Sequence, residues 1–147
     1  MSIWYSISAE FTLRPDADRH VLAAAVADYE EATIPAVRIE DDTVTVEAEG
    51  DMCRTTADDL RAGLVRLIRD FGDGAAVHIT TRSSDDDDEG PWHSYAGRKA
   101  AVLTALEQDL AWRLEALRAQ YARELNLLAD KAAYMPGDDA FVETEGW

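Results

Sequence analysis

The chain has little of what marks an oxidising compartment or a membrane. It has one cysteine, Cys53, among 147 residues, so an internal disulfide is impossible and a reducing, cytoplasmic compartment is expected. No run of about 18 apolar residues is present, so no transmembrane helix is predicted. Residues 1–13 lack a basic start followed by an uninterrupted apolar run, so no signal peptide is predicted there.

Basic residues are also scarce. The chain has 14 lysines and arginines against 30 aspartates and glutamates, which gives a formal net charge of −16. Contact with nucleic acid phosphates requires a basic surface, and anionic membranes attract basic segments, so neither is expected as a direct partner. The charge instead suits a basic protein partner, resistance to aggregation, or imitation of DNA.

Motifs of catalysis and of metal binding are missing as well. The glycine-rich nucleotide-binding motifs and the GxSxG motif do not occur. The histidines, His20, His78 and His93, lack the close spacing of zinc ligands, and Cys53 has no second cysteine beside it. Residues 85–89 are five adjacent carboxylates rather than the alternating ligands of a calcium loop. No catalytic residue, cofactor or metal is therefore predicted.

What the sequence does contain is a long apolar stripe between residues 94 and 135. Apolar residues recur after three, four and four positions, an 11-residue repeat that is typical of one face of a single helix. Such a helix spans about 60 Å, roughly twice the width of a compact unit made from the preceding residues. We therefore expect a homo-oligomer, dimer or higher, or a helical protein partner. The predicted interface, called the stripe below, comprises Leu103, Leu106, Leu110, Leu114, Leu117, Tyr121, Leu125 and Leu128.

Charged residues beside the stripe favour an exposed helix. Asp109 and Arg113 are four positions apart and Glu115 and Arg118 three apart, the spacings at which opposite charges meet on a helix surface. The alternative is that the helix breaks near its middle and folds back over its own sheet, which would bury the stripe within one chain.

Residues 3–82 show the pattern of a small α+β domain. Period-two alternation predicts four strands, at residues 3–13, 37–39, 43–48 and 75–80. Of the two helices between them, the first is expected to have a cap at Asp16 or Asp18 and the second a left-handed stop at Gly72, while Gly50 is expected to end the third strand. The order β-α-β-β-α-β resembles the ferredoxin-like fold. That resemblance implies two helices on one face of an antiparallel sheet with the first and third strands in its centre.

The predicted organisation has four segments. They are a ferredoxin-like head at residues 1–82, an acidic linker at 83–94, a long association helix at 95–135 that follows a cap at Ser94, and an acidic tail at 136–147. Carboxylates on the head are predicted to form an acidic partner patch, which consists of Glu40, Asp41, Asp42, Glu47, Glu49 and Asp51.

These patterns together favour a non-enzymatic, acidic protein–protein interaction module that forms an oligomer through its long helix. Two alternatives stay open. One is an acidic inhibitor of the phage or mobile-element accessory type, which imitates DNA and blocks a basic groove; it requires carboxylates in rows about 6–7 Å apart. The other is a small dimeric enzyme that uses the outer sheet face around His78, which requires a closed pocket with convergent polar groups.

Overall fold

The computed structural model describes residues 3–32, 35–84 and 92–144. In chain order, its elements are β1 (Ile3–Thr12), α1 (Arg19–Ala32), β2 (Pro35–Glu40), β3 (Thr43–Met52), α2 (Arg54–Phe71), β4 (Val77–Ser83), β5 (Trp92–Ala96) and α3 (Lys99–Ala133). The chain divides into two compact units, Met1–Leu106 and Glu107–Trp147. The predicted α+β class and the predicted long C-terminal helix are confirmed.

The strands form one antiparallel sheet in the order β2-β3-β1-β4-β5. β1 is the central strand, and it runs against β3 from Ile3↔Met52 to Thr12↔Thr43 and against β4 from Tyr5↔Ser83 to Ser8↔Thr80. Because neighbouring residues of a strand point to opposite faces, this register places every odd-numbered residue of β1 on one face and every even-numbered residue on the other.

The odd-numbered face of β1 carries the hydrophobic core. Its residues pack with α1 and α2 in a single buried cluster, in which Ile7, Leu22, Leu60, Leu64 and Ile79 are among the most completely buried side chains. Both helices therefore cover the same face of the sheet. Burying one such side chain contributes about 1.5–3 kcal/mol, so this cluster is the main source of stability in the unit Met1–Leu106.

β5 corrects the predicted linker and the predicted start of the long helix. Trp92–Ala96 pairs with β4 from Val77↔Ala96 to Thr81↔Trp92. Ser94 therefore lies in a strand and is not a helix cap, and α3 begins at Lys99. The apolar residues of this segment fall at positions 92, 95 and 96, which do not alternate, so the strand is defined by its long-range partner and not by a period of two. The acidic run at residues 85–89 lies outside the described residues.

Glycines behave differently from the predictions at two further positions. β3 continues through Gly50, which pairs with Tyr5, and ends at Met52, because β1 supplies a partner for the whole length of the strand. Gly72 follows α2 in an extended conformation with φ of −72°, so the predicted left-handed stop is wrong. The cap of α1 is confirmed at Asp18, whose carboxylate accepts hydrogen bonds from the backbone N–H groups of His20 and Val21.

Tyr29 joins the two sheet-covering helices and makes stability depend on pH. Its hydroxyl donates a hydrogen bond to the carbonyl oxygen of Leu60 at 3.0 Å, and its ring lies where a side chain at Gly63 would be, because a Cβ there would be 2.8 Å from the ring. Burial raises the pKa of Tyr29 to about 12. The folded state thus holds this proton more tightly than the unfolded state does.

We expect the melting temperature to fall as the pH rises from about 10 towards 12, since a raised folded-state pKa gives stability that is present below the unfolded-state value and lost above it. Tyr29→Phe should make the melting temperature less dependent on pH in this window. The matched control is Tyr134→Phe, at a residue that is 92% exposed, and it should keep the wild-type slope. If the melting temperatures of the wild type, Tyr29→Phe and Tyr134→Phe all fell equally with pH, the raised pKa of Tyr29 would be contradicted.

Candidate functional site

α3 presents the stripe to solvent along the helix. The exposed fraction of its eight residues runs from 42% at Leu106 to 64% at Tyr121, and no described residue of α3 is buried. At 100° per residue, the stripe falls within an arc of about 100°. Isolated surface leucines need no explanation, but an aligned series of this length is uncommon on the surface of a monomeric protein.

The charged residues of α3 flank this surface without dominating it. The predicted ion pairs are confirmed, with Arg113 to Asp109 at 3.1 Å and Arg118 to Glu115 at 3.7 Å. α3 carries five basic and five acidic residues, so it is neutral although the chain as a whole is strongly acidic. Two copies of this helix can therefore approach each other without net repulsion between them.

The six carboxylates of the predicted acidic patch are all exposed. Glu40 ends β2, and Asp41 and Asp42 form the turn to β3, where Asp41 has φ of 55°. Glu47 and Glu49 lie on β3, opposite Ser8 and Ser6 of β1.

These β3 carboxylates belong to the even face of β1, the outer face away from α1 and α2. Asp51 lies there too, opposite Trp4. Since alternate residues of a strand are about 6.8 Å apart, Glu47, Glu49 and Asp51 form a row at that spacing.

A histidine pair also lies on the outer face, and sequence reasoning missed it. His78 Nε2 is 2.7 Å from His93 Nδ1, the two rings stack with centroids 4.8 Å apart, and the Tyr95 ring stacks on His78 at 5.1 Å. One nitrogen must donate and the other accept, so the pair can hold a shared proton. Both histidines are exposed, whereas the enzyme alternative requires an enclosed site.

The other groups considered in the sequence, the possible metal ligands and the thiol of Cys53, do not form a site together in the described residues. Within the described residues, no three or more His, Cys, Asp or Glu side chains are grouped as metal ligands. Cys53 is exposed, and the Thr56 hydroxyl, 3.2 Å from its sulfur, lowers the pKa of the thiol. None of the described helices combines the length and the apolar character needed to cross a membrane.

Comparison with protein-family models, with curated proteins and with solved structures found no match for this chain.

Proposed function

We propose that the chain is a non-enzymatic protein–protein interaction module that forms a homo-oligomer through α3. The observation that carries the proposal is the exposed stripe on a 35-residue helix in which no described residue is buried. A second copy is the partner that this surface fits best, because it supplies an apolar stripe of equal length on an equally neutral helix.

The expected strength follows from the apolar area. Covering a half-exposed Leu or Tyr contributes about 0.8–1.5 kcal/mol, so eight from each copy give roughly 12–24 kcal/mol. Association costs about 4–15 kcal/mol in lost freedom. The midpoint of the apolar gain exceeds the midpoint of the association cost by about 8 kcal/mol. A binding free energy of this size corresponds to a dissociation constant near 1 μM.

Light scattering coupled to size-exclusion chromatography tests the proposal. At tens of micromolar protein, the measured mass should be at least twice the 16.2 kDa of one chain, and dilution well below 1 μM should lower it. A mass of one chain at tens of micromolar contradicts the proposal.

We also propose that the sheet and its two covering helices have the ferredoxin-like arrangement, with β5 added at one edge. The order of elements up to β4 and the strand order β2-β3-β1-β4 support this assignment. Because this fold carries many unrelated functions, the assignment says nothing about activity.

A second candidate function is imitation of DNA by the acidic outer face. It is favoured by the row formed by Glu47, Glu49 and Asp51. These carboxylates are about 6.8 Å apart along β3, within the 6–7 Å that a surface imitating DNA phosphates requires. Such a surface would occupy a basic groove on another protein, and long-range attraction would speed its association.

Reversing two charges of this row tests that candidate. With a basic partner isolated from the native host, Glu47→Lys with Glu49→Lys should slow association several-fold at low salt. Raising the ionic strength should remove most of the difference, because exposed charges are screened beyond about 8–10 Å. Asp28→Lys with Glu30→Lys, at exposed positions of α1 outside the sheet, is the matched control of equal charge. If the association rate changed neither with the salt concentration nor with the two charge reversals on β3, the outer face would not take part in binding the partner.

A further inference from the structure

A basic-rimmed groove lies at the start of α3, within the unit Met1–Leu106. It encloses about 690 Å³, and its apolar wall includes Val65, Ile68, Val102 and Leu103. It is lined by four basic residues, Arg14, Arg69, Arg98 and Lys99, and by one acidic residue, Asp73, whose carboxylate accepts a hydrogen bond from the backbone N–H of Ala75. This concentration of positive charge is unexpected in a chain of net charge −16, and the sequence did not indicate it.

Two of these cations are available to a ligand. Arg14 and Arg69 have carboxylate partners within the chain, Asp16 at 3.3 Å and Asp70 at 2.9 Å. For Arg98 and Lys99, no carboxylate of the described residues lies within ion-pair distance. The Arg98 side chain lies against Gly74, where a Cβ would be 2.6 Å from Nε. The groove thus combines an apolar wall with unpaired cations, a combination that fits an acidic peptide with an apolar side chain.

The chain itself contains such a peptide. The described part of the tail, residues 136–144, has three carboxylates, at Asp138, Asp139 and Glu143. Between them lie Phe141, which is 100% exposed, and Val142. A fully exposed phenylalanine beside carboxylates complements an apolar wall beside unpaired cations in both charge and polarity.

The spacing of the stripe brings the tail of one copy to the groove of another. The steps along the stripe are 3, 4, 4, 3, 4, 4 and 3, which read the same in reverse, so the stripe matches itself in an antiparallel pair in which Leu114 faces Leu117 and Leu103 faces Leu128. Continuing this register places residue 132 of one copy beside Lys99 of the other, so the tail of the first copy, from residue 136, begins next to the groove of the second. A parallel pair would instead place the two acidic tails together.

We infer that α3 pairs antiparallel with a second copy and that the groove of each copy binds the acidic, Phe141-containing tail of the other. This inference rests on the proposed homo-oligomer and specifies its arrangement. The carboxylates of the tail neutralise Arg98 and Lys99, and Phe141 covers the apolar wall. The two ends of α3 thereby acquire a contact that the stripe alone does not provide.

Disulfide trapping tests the arrangement. In a Cys53→Ser background, two differently tagged full-length chains carry Val65→Cys in the groove and Val142→Cys in the tail. Mixing should give a disulfide that joins the two tags, and a mixture of Leu114→Cys and Leu117→Cys chains should cross-link to each other. Light scattering on the same samples reports the oligomer independently.

Each outcome decides the inference. A dimer without the groove–tail disulfide, or one in which Leu103→Cys cross-links to itself, overturns the antiparallel arrangement and leaves the proposed homo-oligomer standing. A disulfide that forms only within one chain of a Val65→Cys, Val142→Cys double variant overturns docking onto a second copy. A monomer at tens of micromolar overturns the proposed function and this inference together.

Charge exchange provides a second measurement. Arg98→Glu with Lys99→Glu should raise the dimer dissociation constant about tenfold at low salt, as for two exposed ion pairs. Adding Asp138→Lys with Asp139→Lys should restore most of the loss, because the pairs re-form with reversed signs. Arg38→Glu with Arg82→Glu, on the outer face, is the matched control and should not be rescued. Failure of the tail reversal to rescue would show that the groove does not contact the tail.

Discussion

Leu117→Glu is expected to convert the oligomer to monomers. Leu117 lies beside the centre of the stripe, and in the antiparallel pair it meets Leu114 of the other copy, so the substitution places two carboxylates within one helical turn of each other in a contact that excludes water. Burying charges in this way costs several kcal/mol, which corresponds to an increase in the dissociation constant of about a thousandfold or more. Light scattering at tens of micromolar should then give the mass of one chain.

Trp112→Glu is the matched control for this change. Trp112 is 71% exposed, and its position is about 180° around the helix from Leu103 at 100° per residue. It introduces the same charge into the same helix and should leave the oligomer mass unchanged. If both substitutions dissociate the oligomer, added charge rather than the stripe is responsible; if neither does, the stripe is not the interface.

Leu64→Ala is expected to have the largest effect on folding. Leu64 is 0% exposed and lies in the core cluster formed by the sheet with α1 and α2. Removing a buried leucine side chain costs about 2–5 kcal/mol, because the apolar transfer energy is lost and a cavity remains. That is a large share of the 5–15 kcal/mol typical of a folded domain. Urea denaturation should show a lower midpoint with little change in slope.

Val21→Ala provides the comparison on the protein surface. Val21 lies in the first turn of α1 and is 54% exposed, so its truncation should change the free energy of unfolding by about 0.5 kcal/mol or less. If Val21→Ala lowered the free energy of unfolding as much as Leu64→Ala does, the described core would not be the main source of stability. Under native conditions, neither substitution should alter the oligomer mass.

Predictions from the sequence succeeded where the pattern was long and local. β1 spans ten residues of strict alternation, and the stripe of α3 covers residues 103–128, about seven helical turns, so each element shows its own period several times. The cap at Asp18 and the ion pairs on α3 were also predictable, since each depends on residues within four positions. β5 was not predicted because its apolar residues, at positions 92, 95 and 96, do not alternate.

Among the candidate sites, too, the sequence revealed the one that is local and missed those formed by distant residues. The stripe could be read from one helix, but His78 and His93 are 15 positions apart and meet only because β5 pairs beside β4. The groove needs Arg14, Arg69 and Arg98 to converge from three separate parts of the chain. No spacing rule relates such residues, so neither site could have been found from the sequence.

The sequence by itself determined the acidic charge of this protein, the absence of an internal disulfide, and the apolar face of α3. These follow from composition and from the fixed geometry of a helix, which act within a few residues. Only the tertiary structure decided that β3 continues through Gly50, that β5 joins the sheet, and that Arg98 and Lys99 lie beside a groove with an apolar wall. Those features depend on which distant segments pack together, and that choice is made by the free energy of the whole folded chain.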